Sequence, residues 1–257
     1  MLNYLKSEIY QIVHRKAPYV FIFICSGLLI AMNLVLHQVG SGDVNFSYNT
    51  TEFAFSMIYT NLYFILVLCI TVSAIIFGEE FQNHTLKNNV SFGISRGTIF
   101  VSKMILELVY ALIAFAFILG CFIGSAYLLL ENSGLVELEH LLKGCLAGIP
   151  LFIFVLALCN TLYALVEKTG LSLGIAVIII IVIPIIINEF ANRYEVAQRI
   201  GEYLPINMIS AYRYTEAGFS ADWLKSDVIL KYYGVGLLYS VIALIIGFII
   251  FRKKEIK

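Results

Sequence analysis

Charge is what this sequence has least of. Asp, Glu, Lys and Arg make up only 13% of its 257 residues, against about 25% in ordinary soluble domains. So little charge cannot clothe a water-facing surface. Basic and acidic residues also balance, 17 of each, so no basic footprint for nucleic acid exists. Proline occurs four times and tryptophan once. No long low-complexity or linker stretch divides the chain, which reads as one domain over 1–257. The five cysteines, Cys25, Cys69, Cys121, Cys145 and Cys159, lie in or beside apolar runs, odd in number and without a CxxC pair. They read as small packing residues rather than a metal or redox set. No Gly-Lys dipeptide occurs, so a GxxxxGK[ST] phosphate loop is excluded and any ATP must be bound by another chain. His14, His37, His84 and His140 all fall outside the apolar runs, and no HExxH occurs. Neither a zinc protease of that kind nor a membrane-depth Ser–His pair can be assembled.

What fills the sequence instead is apolar: 60% of residues, with a mean hydropathy of +0.90. The chain is an integral membrane protein of the all-α class. Six runs, at about 19–36, 54–77, 104–130, 145–166, 171–187 and 232–251, approach the roughly 20 residues that cross a hydrocarbon core of about 30 Å. Residues 1–17 set Leu2, Leu5, Ile9, Ile12 and Val13 at helical spacing, with Lys6, Glu8, Arg15 and Lys16 mostly elsewhere. This predicts an interfacial amphipathic helix, too polar for a cleavable signal. Pro18 suits a helix start. Pro184 should kink the fifth span or end its regular bonding.

Lys and Arg set the expected orientation. With the N-terminus inside, the inner segments hold Lys6, Arg15 and Lys16; Lys87, Arg96 and Lys103; Lys168; and Arg252, Lys253, Lys254 and Lys257. The short outer segments hold only Lys143, and the remaining five lie in the long segment 188–231, where length weakens the rule. Both termini are therefore expected in the cytoplasm. Segment 188–231 carries Tyr194, Tyr203, Tyr212, Tyr214, Phe219 and Trp223 around a Leu204-Pro205-Ile206 break. Aromatics favour the headgroup level, which predicts one or two short outer helices that dip into the leaflet or cap the bundle.

Ionisable groups within the spans are scarce. Glu107 lies one turn from Lys103 near the inner end of the third span, snorkelling or paired, and Glu189 lies at the outer end of the fifth. The other polar groups are amides and hydroxyls, among them Asn33, Asn61, Thr71, Ser73, Asn160 and Thr161. They serve either as helix-to-helix bonds of about 0.6 kcal/mol each or as a path, for which Asn33, Asn61, Asn160 and Glu189 are the candidates. A pump or channel that moves ions needs more buried charge, so an apolar cargo or an external energy source is expected. Gly120 with Gly124 and Gly170 with Gly174 form GxxxG pairs, which permit close helix contact within one chain or between two.

The segment Gly78–Lys103, GEEFQNHTLKNNVSFGISRGTIFVSK, is too long and too mixed for a simple connection. Glu79-Glu80 close the second run, Thr85-Leu86-Lys87 form a turn, and Ser95-Arg96 and Lys103 lead into the third. This order resembles the inner loop of type-2 ABC transporter permeases, the six-span exporter subunits. His84 stands where glycine is usual and Gly93 where proline is usual. In outline the resemblance extends over the rest of the chain. It implies a cytoplasmic coupling helix between spans 2 and 3 that docks on a separate ABC ATPase dimer. Glu79, Glu80, Thr85, Leu86, Lys87, Ser95, Arg96 and Lys103 would be its contact residues. It also implies ATP and Mg on that partner, no cofactor on this chain, no enzyme activity of its own, and a second permease copy or sister permease in a bacterial cell membrane. The chain's size and plainness are similar to permeases that export phenol-soluble modulins and other small peptides. This points to amphipathic peptides or hydrophobic toxins and drugs as cargo, with ions, lipids or glycans as alternatives. Glu79-Glu80 followed by His84 also resembles the EExxxR motif of CAAX-type intramembrane proteases. The arginine is missing, and so are that family's later histidines.

Overall fold

The computed structural model describes residues 2–42, 48–78, 86–166, 168–191, 193–209, 212–215, 218–221 and 226–253. Its order is α1 (Leu2–His14), α2 (Lys16–Gly42), α3 (Thr51–Thr60), α4 (Phe64–Ser73), α5 (Leu86–Ser91), α6 (Arg96–Leu129), α7 (Val136–Val166), α8 (Thr169–Val177), α9 (Ile183–Ala191), α10 (Glu195–Gly201), α11 (Pro205–Ile209), and α12 (Ser226–Lys253). Two short strands, β1 (Tyr212–Thr215) and β2 (Gly218–Ala221), pair antiparallel between α11 and α12. Among the described residues the architecture is helical apart from this ladder and the connecting turns.

Among the described residues, five helical stretches are long and apolar enough to cross a membrane, or six where the bent pair counts as one span. The helices overrun the apolar stretches read from the sequence. Span three begins at Arg96 and the fourth helix at Val136, because backbone bonding continues after hydropathy falls. The second run, expected as one span over 54–77, is broken: α3 and α4 meet at 64°. No Pro or Gly lies at the break. Asn61 makes it, its Nδ2 donating to the Met57 carbonyl at 2.8 Å and to Thr60 Oγ1 at 3.0 Å. Such local bonds compete with the helical ladder. The next amides tighten to three-residue spacing, Phe64 to Asn61, Ile65 to Leu62 and Leu66 to Tyr63, so these three amides keep partners where hydrocarbon would offer none.

Pro184 acts as expected, with a detail the sequence did not show. It lacks an N–H and crowds the carbonyl four residues back. The chain answers with a wide π-helical turn at Ile178–Val182 between α8 and α9. A second π turn, Ala74–Gly78, ends α4.

Helix α7 is the most enclosed, with α12, α3, α4 and α8 packed on it, while α2 packs on α6. Polar side chains stitch α7 to α12. Ser240 Oγ donates to the Pro150 carbonyl at 2.6 Å, and Thr161 Oγ1 reaches the Ala243 carbonyl at 3.5 Å. The GxxxG glycines meet nothing: a Cβ at Gly120, Gly124, Gly170 or Gly174 would have open space. Close approach is made elsewhere, at Gly247, whose added Cβ would overlap Thr161 Oγ1 and stand 3.0 Å from the Phe100 ring. Gly247→Ala is therefore expected to cost about 1–3 kcal/mol by overpacking, whereas Gly120→Ala should be silent. Thermal melts of the purified protein in one detergent decide it. Equal melting of the two variants would remove this α7–α12 contact.

Two ends of the bundle differ. At the cap end, Thr51 N donates to the Glu131 carbonyl at 2.9 Å and Glu131 N to the Asn49 carbonyl at 3.0 Å, tying α3 to the α6–α7 turn. There α9 and α11 are held by a mutual amide pair, Asn188 with Asn207 at 2.6 and 2.9 Å, Asn207 Nδ2 also donates to the Gly201 carbonyl of α10 at 2.9 Å, and Met208 and Ile209 are buried close to Gly148 of α7. The short helices expected in this segment are thus present, joined by the strand ladder. The other end, the loop end, carries α1 and α5.

Candidate functional site

The candidates of the 79–103 loop divide into four groups. Glu79, Glu80 and Thr85 lie outside the described residues. Leu86 and Lys87 open α5, which is one and a half turns long. Gly93, at φ +84°, ends it: Gly93 N donates to the Val90 carbonyl and Ile94 N to the Asn89 carbonyl. This reversal in the left-handed region favours glycine over the proline usual in the resembled pattern. Phe92 stands at the turn, 85% exposed.

Ser95 and Arg96 then start α6. Ser95 Oγ accepts from Thr98 N at 3.2 Å and bonds Thr98 Oγ1 at 2.8 Å, a helix N-cap. Gly93-Ile94-Ser95-Arg96-Gly97 also matches the spacing of a nucleophile elbow. Here it follows a helix rather than a strand, and the serine oxygen is spent on the cap. Arg96 donates to the Arg252 carbonyl at 3.4 Å, joining the start of α6 to the end of α12.

Lys103 is set apart from these. It is 1% exposed and forms an ion pair with Glu8 of α1, itself 2% exposed. Its amine also lies 5.9 Å from the centre of the Phe77 ring. Helix α1 therefore turns Tyr4 and Glu8 inward and leaves Ile9, Tyr10 and Val13 exposed. Its apolar face is free to meet lipid while its carboxylate enters the bundle.

One turn further along α6, Glu107 is fully buried. Its Oε2 accepts from Asn160 Nδ2 of α7 at 2.7 Å, and its Oε1 accepts from Ser73 Oγ of α4 at 3.2 Å. Asn160 Nδ2 also lies 2.7 Å from Met104 Sδ. Thr169 Oγ1 adds a bond to the Gly78 carbonyl at 2.8 Å, tying the end of α4's π turn to the start of α8. The loop end thus holds a chain of buried polar groups that keys α6 to α1, α4 and α7. Its arrangement can carry a displacement of the loop into four elements at once. Bonds of this kind yield discrete packing states rather than gradual slip.

The four path candidates are not brought together. Asn33 of α2 is fully buried and donates to the Phe122 carbonyl and to Ser125 Oγ, at 3.1 and 2.8 Å, as a bond between α2 and α6. Asn61 forms the break, Asn160 belongs to the buried cluster, and Glu189 is exposed near the end of α9. Sequence reading passed over Glu8 and left Ser73 among unremarkable hydroxyls. The available signal was the pair Lys103 and Glu107 on one helix face, which at this depth requires partners from neighbouring helices.

Among the described residues no group of three His, Cys, Asp or Glu could hold a metal ion. The described loop end offers keyed helices and a short surface helix rather than a set of reacting groups. A family model described as ABC-2 family transporter protein matches residues 5–183, from α1 to the start of α9. No curated protein matches the chain. With most of its length matched and its apolar helices in the order described, the chain belongs to the ABC-2 transporter family and is a multi-pass transmembrane permease subunit of an ABC transporter.

Proposed function

We propose that this permease forms, with a second copy or a sister permease, an export path for amphipathic peptides or hydrophobic toxins. ATP and Mg are bound by a separate ABC ATPase dimer, which docks on the inner loop 79–103 of the permease in the cell membrane, with both termini cytoplasmic. The observation that carries this reading is the placement of α5. It runs through one glycine turn into α6, and α6 is keyed by Lys103 and Glu107 to the rest of the loop end. A push on a six-residue surface helix would otherwise be lost in a loose connection. The cargo class rests on the scarcity of intramembrane charge. A path lined by apolar groups gives an ion no replacement for its hydration shell, while an amphipathic peptide loses little there.

The test is co-expression with a candidate ATPase and reconstitution in vesicles. Wild type is expected to co-purify with the ATPase and to show vanadate-sensitive ATP hydrolysis stimulated by amphipathic peptides. Glu80→Ala and Arg96→Ala are expected to fold but to lose stimulation by roughly tenfold, equivalent to about 1.4 kcal/mol of coupling. Stimulation by ions, lipids or glycans but never by peptides would overturn the cargo. Full stimulation in both variants would overturn the docking surface.

A further inference from the structure

The break at Asn61 opens a cleft of about 590 Å³ in the side of the bundle, between α2, the α3–α4 corner, α6 and α7. Its volume falls within the range of about 300–1,000 Å³ typical of small-ligand pockets. Leu62 and Ile65 come from the corner, Leu112 and Phe115 from α6, and Leu146 and Ile149 from α7. Asn61 is the one amide in the lining, and its nitrogen is already engaged by Met57 and Thr60. Apart from the Cys145 thiol the other described lining residues are hydrocarbon, so the lining carries no charge to hold an ion or a charged headgroup.

The cleft lies at membrane depth. Asn61 is ten residues along from Thr51, which is tied to the cap end, and Leu119 is ten residues from the α6 terminus at Leu129. At 1.5 Å per residue each lies about 15 Å in, near the middle of a hydrocarbon core of about 30 Å. The mouth is continuous with the belt that faces lipid: Phe64, Leu112 and Leu146 line the cleft and are 56%, 47% and 61% exposed, with Ile113 and Phe117 beside them. What covers that belt in a bilayer is aliphatic chain. We propose that the cleft is a binding site for one acyl chain of a membrane lipid, seated against the broken second span. The occupant fills the wedge that an unbroken helix would have closed.

The test uses the full-length protein in phosphatidylcholine vesicles doped with a phosphatidylcholine carrying a mid-chain diazirine. After illumination the labelled residues are mapped by mass spectrometry. Labelling of 62–68, 112–119 and 142–152 is expected to exceed that of the exposed α2 face at Phe23, Ile24 and Leu28 by roughly fivefold, the mark of a seated rather than a passing chain. Ala116→Trp fills the cleft from an exposed wall position, and Leu146→Trp blocks its rim. Both changes sit on the bundle surface, and melting temperature and elution volume verify the fold. Each is expected to return cleft labelling to the α2 level. Equal labelling of both faces in wild type, or labelling unmoved by either tryptophan, would overturn the proposal. Displacement of the label by an amphipathic peptide would overturn it too, by assigning the cleft to cargo.

Discussion

Lys103→Met is expected to be the most damaging single substitution at the loop end. Methionine keeps the length of the side chain and removes its charge. The Glu8 carboxylate, 2% exposed, then stays buried without the ammonium it faces. Removing one member of a buried pair costs about 3–5 kcal/mol, because the stranded charge pays its desolvation without the compensating attraction. The protein has one inexpensive response, which is to release α1 from α6. Two measurements therefore move together: reversible unfolding in mixed micelles shows the loss, and limited proteolysis shows α1 becoming accessible. Glu8→Gln combined with Lys103→Met is expected to recover most of the loss, since no unpaired charge remains. A single variant within about 1 kcal/mol of wild type would mean the pair is not what holds α1. A double variant as unstable as the single one would place the damage in the lost contact between the lysine ammonium and the Phe77 ring.

Glu107→Leu ranks next. The leucine matches the glutamate in bulk but accepts nothing, so Asn160 Nδ2 and Ser73 Oγ each lose a partner in the bundle interior. Ser73 Oγ keeps Asn160 Oδ1 at 3.4 Å and Asn160 Nδ2 keeps Met104 Sδ, so the expected cost is about 1–3 kcal/mol in all rather than for each group. Glu107→Gln keeps an acceptor oxygen and is expected to cost less than about 1 kcal/mol. Pairing Glu107→Leu with Asn160→Leu closes a double-mutant cycle. The effects are expected to fall short of additivity by about 1 kcal/mol or more, because the second change removes a bond the first had already broken. Strict additivity would deny that the two residues share a bond that matters. Transport gives a separate readout. If α6 carries the stroke through this cluster, Glu107→Leu should uncouple ATP hydrolysis from export even at temperatures where it remains folded. Coupled export at wild-type efficiency would leave the cluster as scaffold only.

These two residues also mark where sequence reading stopped. Six apolar runs, an amphipathic start and an asymmetric distribution of Lys and Arg were legible because each is a local sum. A run of about 20 apolar residues prefers hydrocarbon whatever its neighbours do. The irregular bonding before Pro184 was legible for the same reason, since a missing N–H and a steric clash act within one turn. The loop's resemblance to ABC-2 permeases was legible as spacing along the chain, and the family match over 5–183 bears it out.

The break at Asn61 was not legible, because an amide inside an apolar run can bond a neighbouring helix or its own carbonyl four residues back, and only the surroundings choose. The glycines divide for a related reason. GxxxG marks a face on which close approach is allowed, yet Gly120 and Gly124 face open space and Gly247 lies against Thr161 and Phe100. Glu8 sat on a helix whose pattern assigned charge to the outside, and it turned inward because Lys103 was already there. Composition and periodicity alone determined that this chain crosses a membrane and about where, and the residue order of the 78–103 loop carried its resemblance to ABC permeases, since those depend on single residues and their near neighbours. Which polar groups meet was decided by tertiary structure, since helix rotation and the rule that buried polar atoms find partners act between segments up to 95 residues apart.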